Sequence, residues 1–156
     1  DTEDPAKVEK HVEWYAQYFS AVTGRNASPA DLITMSEAVY NFQRIFNLKM
    51  GFGTREHDQI PYRAMGPVTV EEYESRQDRY DDQLAENYGV DIIGKTLEEK
   101  VALLREFRQE QYEKLQNAVY KRRGWTPQGI PTLETAKRLG INFPEVVELL
   151  KAHGVE

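Results

Sequence analysis

The chain has 156 residues, 40% hydrophobic and 29% charged, with no cysteine and a formal net charge of -6. That length fits one domain able to bury a core of its own. The acidic balance argues against broad nucleic-acid or anionic-membrane binding, which need clustered Lys and Arg. The missing cysteine excludes disulfides, zinc ribbons, thiol catalysis and iron–sulfur ligation by this chain.

No apolar run approaches the ~20 residues that a membrane span needs. The N-terminus, Asp1 to Pro5, is acidic where a signal peptide is basic. The chain opens at Asp1 without an initiator methionine, which suggests a processed product or a piece of something longer. From Lys7 to Thr23, Val8, Val12, Tyr15, Phe19 and Val22 fall at helical spacing, and Gly24 is the stop. Ser28, Pro29 and Asp31 then supply an N-cap, a first-turn proline and a first-turn acid. The helix they open runs to about Met50 and ends at Gly51. Its apolar positions Leu32, Met35, Val39, Phe42, Ile45 and Phe46 are spread widely enough to predict burial on more than one side.

Residues 51–68 carry no periodicity. A connection of that length inside a compact domain is uncommon and tends to be functional or disordered. Phe52, Ile60, Tyr62 and Met65 argue for order, with the loop lying against a surface. Thr69 and Glu72 form a capping box for a third helix to about Tyr88, closed by Gly89. Its apolar positions Val70, Tyr73, Tyr80, Leu84 and Tyr88 are sparse among charges, so it is expected to be peripheral and solvated. Thr96 and Glu99 repeat the box ahead of the longest helix, which turns Leu97, Val101, Leu104, Phe107, Leu115, Ala118 and Val119 inward and closes at Gly124. A turn-rich segment, Trp125 to Pro131, leads to Thr132, which caps a short helix to Leu139 before Gly140. Pro144 starts a last helix ending near His153. The reading is a single all-α domain over residues 1–156, irregular, with five to six helices and one long ordered loop.

Few residues suggest chemistry. His11, His57 and His153 form no metal-binding helical pair. His57, between Glu56 and Asp58, has the neighbours of a general acid or base but also those of a solvated surface group. The acid pairs Glu71-Glu72, Asp81-Asp82 and Glu98-Glu99 fit helix first turns and exposed faces. Lys121-Arg122-Arg123 complements a helix C-terminus. No glycine-rich phosphate loop is present. The informative polar residues are Arg44, Asn47, Asp58 and Arg63. Arg44 and Asn47 lie in an apolar helix segment, and a buried arginine needs a partner, for which Asp58 is the candidate. That pair reads either as a structural clamp on the loop or as a substrate contact.

Two blocks of residues resemble a known family. One is Glu37, Tyr40-Asn41, Arg44 to Asn47 and Gly51, then Asp58, Pro61 and Arg63. The other is Tyr120, Arg123-Gly124-Trp125, Gly129, Pro131-Thr132 and Leu139-Gly140-Ile141, with Ala21 to Gly24 upstream. In order and spacing they resemble the C-terminal domain of the tungsten-containing aldehyde ferredoxin oxidoreductases, over about residues 15 to 145. Lys49-Met50 stands where aldehyde-oxidising members have arginine-glutamate, and Ile60 replaces a leucine. Within the family the wording is most similar to the tungsten-bearing catalytic subunit of the ATP-independent (class II) benzoyl-coenzyme A reductases.

The resemblance implies a cytoplasmic enzyme with a tungsten-bis-pterin and one 4Fe–4S cluster in the full-length protein, neither bound by this chain alone. It also implies that this chain is the C-terminal part of a longer oxidoreductase. The implied partners are the rest of the same enzyme, an iron–sulfur electron-transfer subunit or ferredoxin, and a coenzyme A thioester or an aldehyde as substrate. No nucleic acid or membrane span is expected. No catalytic, cofactor or metal residue carries over. Arg44, Asn47, Arg55, Asp58, Arg63, Arg123 and Trp125 remain as a structural network or channel lining. A reading of another class is a free-standing helical interaction module.

Overall fold

A computed structural model describes residues 9–155, so Lys7 and Val8 of the first expected helix lie outside the described residues. Those described form seven α-helices and no strand, an all-α fold. They are α1 (Glu9–Thr23), α2 (Pro29–Lys49), α3 (Val70–Glu74), α4 (Gln77–Asp82), α5 (Leu97–Arg123), α6 (Leu133–Arg138) and α7 (Pro144–Ala152). None of these helices is long and apolar enough to cross a membrane. By its contacts the chain divides into two compact units, residues 1–54 with 123–156, and residues 55–122.

In the first unit, α1 packs on α2 and α2 on α7. Ser28 starts α2 with a reciprocal box. Its hydroxyl accepts from the Asp31 amide at 3.2 Å, and the Asp31 carboxylate accepts from the Ser28 amide at 2.8 Å. The core gathers Ile45 and Leu48 of α2 with Ile130, Ala136, Leu139, Ile141, Val146, Leu150 and Val155. It draws on one narrow stripe of α2. Met35, Val39, Phe42 and Phe46, expected inside, are exposed, as are Tyr15 and Val22 of α1. The apolar excess on α2 therefore faces outward.

In the second unit, the loop from residue 55 folds into two 3-10 turns, Arg55–Asp58 and Tyr62–Met65. The third predicted helix is three pieces: α3, α4 and a π turn over Gln83–Asn87. At the first break the Ser75 hydroxyl donates to the Glu72 carbonyl at 2.9 Å. Serine competes for backbone groups in this way and favours turns over helix interiors. The segment is not peripheral: Tyr73, Tyr80 and Leu84 form the unit's core with Leu104 of α5. The 3.6-residue spacing still puts them on one side, and the charges between them occupy the other. The Thr96–Glu99 box opens α5 as expected, with the Thr96 amide donating to Glu99 at 2.8 Å. Farther along, Leu115, Ala118 and Val119 are exposed while Gln116 and Tyr120 are buried, so the inward face of α5 shifts along its length.

Candidate functional site

In the first unit, Tyr40, Asn41 and Arg44 of one motif block meet Arg123, Trp125 and Gly129 of the other in one network. Asn41, fully buried on α2, accepts from the Trp125 indole N–H at 2.6 Å and donates to the Glu37 carbonyl at 2.9 Å. Arg44, one turn on, donates from Nε to the Gly129 carbonyl at 2.9 Å, and its guanidinium lies 4.8 Å from the Trp125 ring centre. Tyr40 stacks on Trp125 at 6.0 Å and 10°, and the Arg123 guanidinium sits 4.0 Å over Tyr40. Indole and phenol faces attract a guanidinium through the ring quadrupole, so these rings help to hold both arginines.

The turn that delivers Trp125 is closed by its own side chains. The Gly124 carbonyl accepts from the hydroxyls of Thr132 at 2.9 Å and Thr135 at 2.8 Å. Trp125 pairs with Pro131 in an antiparallel bridge. Gly124 has φ +68°, and a Cβ there would lie 2.2 Å from the Thr135 hydroxyl, so any other residue is strained and displaces that side chain. Gly53 is similarly placed at φ +84°, its absent Cβ 3.1 Å from the Arg44 carbonyl. Beside the network, Arg138 grips Glu37 with two nitrogens, at 2.5 and 3.0 Å. The hydrogen bonds from Arg138 hold the Glu37 carboxyl below its usual range.

In the second unit, Asp58 and Arg55 gather on α5. The Tyr120 hydroxyl donates to the Asp58 carboxylate at 2.5 Å, and the Tyr112 hydroxyl donates to the Asp58 carbonyl. Arg55 donates to the Asn117 side chain at 2.6 Å, with its guanidinium 5.7 Å from the Tyr120 ring. Arg105 pins the next stretch of loop. It donates to the carbonyls of Tyr62 at 2.7 Å and of Gly66 and Pro67 at 3.2 Å, and lies 3.5 Å over the Tyr62 ring. Arg63 pairs instead with Glu72.

Deeper in this unit is an ion pair. The Lys100 ammonium meets the two Asp81 oxygens at 2.9 and 3.1 Å, and the Tyr73 hydroxyl donates to Asp81 at 2.7 Å. Burial by itself raises the Asp81 carboxyl, but hydrogen bonds from Lys100, Tyr73 and Gln77 and the lysine charge outweigh it, leaving the group below its ordinary value. Burial, with the hydrogen bond to Asp81 and its negative charge, pushes the Tyr73 phenol well above its usual range.

Of the seven residues singled out in the sequence, Arg44, Arg123 and Trp125 come together in the first unit, and Arg55 and Asp58 in the second. Asn47 stands apart: its side chain is exposed, and its carbonyl accepts from the Phe52 amide at 2.9 Å. Sequence reasoning missed Asn41 as the partner of Trp125, and it assigned Asp81 to an exposed face. Lys100 carried a legible signal, because it falls on the same helical stripe as Leu97, Leu104 and Phe107. His57 and His11 are exposed, and the His153 ring contacts the Leu149 carbonyl at 2.9 Å. Among the described residues no three His, Asp or Glu side chains converge in a metal-binding group. With no cysteine in the sequence, the donor set does not fit an iron–sulfur cluster.

These features define an all-helical scaffold with a side-chain network in each of its two units. The sequence matches the family described as aldehyde ferredoxin oxidoreductase, domains 2 & 3, over residues 3–141, and the chain belongs to that family. No curated protein and no solved structure matches it.

Proposed function

We propose that this chain is the helical C-terminal part of a tungsten-bis-pterin, iron–sulfur oxidoreductase of the benzoyl-coenzyme A reductase type, which dearomatises its substrate reductively in anaerobic aromatic degradation. The observation that carries the reading is the joining of both family motif blocks through Asn41–Trp125, Arg44–Gly129 and Arg123–Tyr40. Residues committed to holding one another are scaffold, which fits a domain that supports an active site built elsewhere in the same enzyme. The tungsten-pterin would supply low-potential electron transfer, and this chain contributes position and exclusion of water.

A groove of about 540 Å³ in the first unit supports the docking part of the proposal. Phe42, Phe46, Met50 and Phe143 line it and are 44%, 56%, 59% and 52% exposed. A contiguous apolar surface of this kind marks an interaction site. The occupant we assign is the remaining domain of the enzyme, since the family is described as its domains 2 and 3. Lys49 and Met50, which stand where the resemblance has the arginine-glutamate of aldehyde oxidisers, lie on this groove, and it is that substitution that speaks against simple aldehyde oxidation.

The test is to purify the enzyme that contains this chain anaerobically and measure its metals, visible spectrum and substrates. Tungsten, iron–sulfur absorbance and electron exchange with a benzoyl-coenzyme A couple are expected. Turnover of simple aldehydes in place of the thioester would return the assignment to the aldehyde oxidoreductases. An active protein lacking both tungsten and the cluster would sink the reading.

A further inference from the structure

The second unit holds a polar pocket of about 280 Å³ that the oxidoreductase reading does not use. Three arginines line it, Arg63, Arg76 and Arg108, against one carboxylate, Glu72. The carboxylate is already engaged, because it accepts from Arg63 and from the Val68 amide at 2.8 Å. Arg108 donates to a neutral partner, the Gln83 side chain at 2.8 Å, so its charge is not neutralised there. The Arg76 guanidinium makes no ion pair or hydrogen bond among the described residues. In a chain of net charge -6, this pocket concentrates a surplus of positive charge.

The pocket also has a built wall. Gly66 has φ +130°, and a Cβ on it would lie 2.9 Å from the Arg108 Nη1. The missing side chain leaves room for that guanidinium. Arg108 is braced on its other side by the Tyr80 ring at 5.5 Å. A guanidinium fixed by packing keeps its planar fork ready for an oxyanion at little ordering cost.

We propose that Arg63, Arg76 and Arg108 form a binding site for the phosphate or diphosphate group of a small molecule. Three guanidinium forks present more donors than the two oxygens of a carboxylate accept, whereas a phosphate group satisfies several at once. The volume falls just below the roughly 300–1,000 Å³ of sites that enclose a drug-sized ligand, so the pocket suits a charged head group with the rest of the molecule outside. The site lies within residues 63–108 and stands independently of the tungsten reading.

The experiment is a calorimetric titration of the full chain with inorganic pyrophosphate, repeated with citrate and at raised salt. Saturable one-to-one binding that weakens with salt is expected. Arg76→Ala should weaken it about tenfold or more, the loss of one charge-assisted contact, and Arg76→Glu should abolish it. Both variants should keep the native helical circular dichroism, since Arg76 is exposed. Arg79→Ala, an equal loss of charge at an exposed position outside the pocket, should leave binding unchanged. Absence of saturable binding, citrate binding as tightly as pyrophosphate, or equal losses in Arg76→Ala and Arg79→Ala would overturn the site.

Discussion

The two units stabilise their interiors with different chemistry. Among the described residues the buried polar ones of the first are neutral, Asn41 and Thr135, and Arg44 and Arg123 lie over aromatic faces. The second places a full charge inside, with Lys100 only 8% exposed and paired to Asp81 beside Tyr73. A neutral network fails mainly by leaving a cavity and a lost hydrogen bond. A buried ion pair fails by stranding a charge, and it responds to pH. The two units therefore differ in how they break, although both are all-helical.

The largest expected effect is in the first unit. Trp125→Ala empties the centre of the motif network and leaves the Asn41 side-chain oxygen without its donor. Loss of a buried aromatic of this size should cost about 4 kcal/mol, read from the denaturant midpoint. A shift of under about 1 kcal/mol would show that the network is peripheral to stability.

The second unit should be broken most by one half of its ion pair. Lys100→Ala strands Asp81, at a cost of about 3 kcal/mol, the lower end for buried pairs because Asp81 keeps some solvent contact. Replacing both partners, Lys100→Met with Asp81→Leu, should recover part of that loss, the buried Tyr73 hydroxyl left without its acceptor still costing about 1 kcal/mol or more. The pH response follows from the depressed Asp81 carboxyl. A group whose folded pKa lies below its unfolded value adds stability that is complete above the unfolded value, near ~3.9, and is lost as pH falls through the folded one. Acid unfolding below about pH 4 should therefore be shallower in the double variant than in the parent.

Much of the fold was legible because caps and stops are local. Ser28 with Asp31, Thr96 with Glu99, Thr132 and the terminating glycines each act within a few residues, and the structure reproduces the helices they bound. Which face is buried was less legible. Phe42 and Phe46 are as apolar as Ile45, and only the position of α7 and the Ile130 turn selects Ile45 for the core. The break at Ser75 was missed because Tyr73, Tyr80 and Leu84 keep helical spacing through it. The site residues divide along the same line. Resemblance picked out Arg44, Arg123 and Trp125, whereas Asn41–Trp125 spans 84 positions and needs the tertiary fold to appear.

A backbone test of the first unit follows in size. Gly124→Ala puts a methyl group against the Thr135 hydroxyl and forces a left-handed residue off glycine. About 2 kcal/mol of destabilisation is expected from strain and overpacking together. The same substitution at Gly89, with φ +65° and open space around it, meets only the backbone term and should cost about 1 kcal/mol. Equal losses at the two positions in thermal denaturation would show that the Thr132–Thr135 brace yields freely.

The smallest effect sharpens the contrast between the units most. Arg138 and Glu37 form a two-pronged pair with geometry as good as that of Lys100 and Asp81, but the Arg138 side chain is 51% exposed. Water screens the attraction, and the freed glutamate can be solvated, so Arg138→Gln should cost under about 1 kcal/mol. Raising salt should shrink even that, since the Debye length falls to ~3 Å at 1 M. Glu37 is depressed as Asp81 is, so its contribution also disappears as pH falls below the unfolded glutamate value of about 4.3. What chiefly distinguishes the two pairs is the burial of the cation, Lys100 at 10% against Arg138 at 51% side-chain exposure. A salt-insensitive loss in Arg138→Gln as large as that in Lys100→Ala would mean that the first unit, too, depends on a desolvated charge.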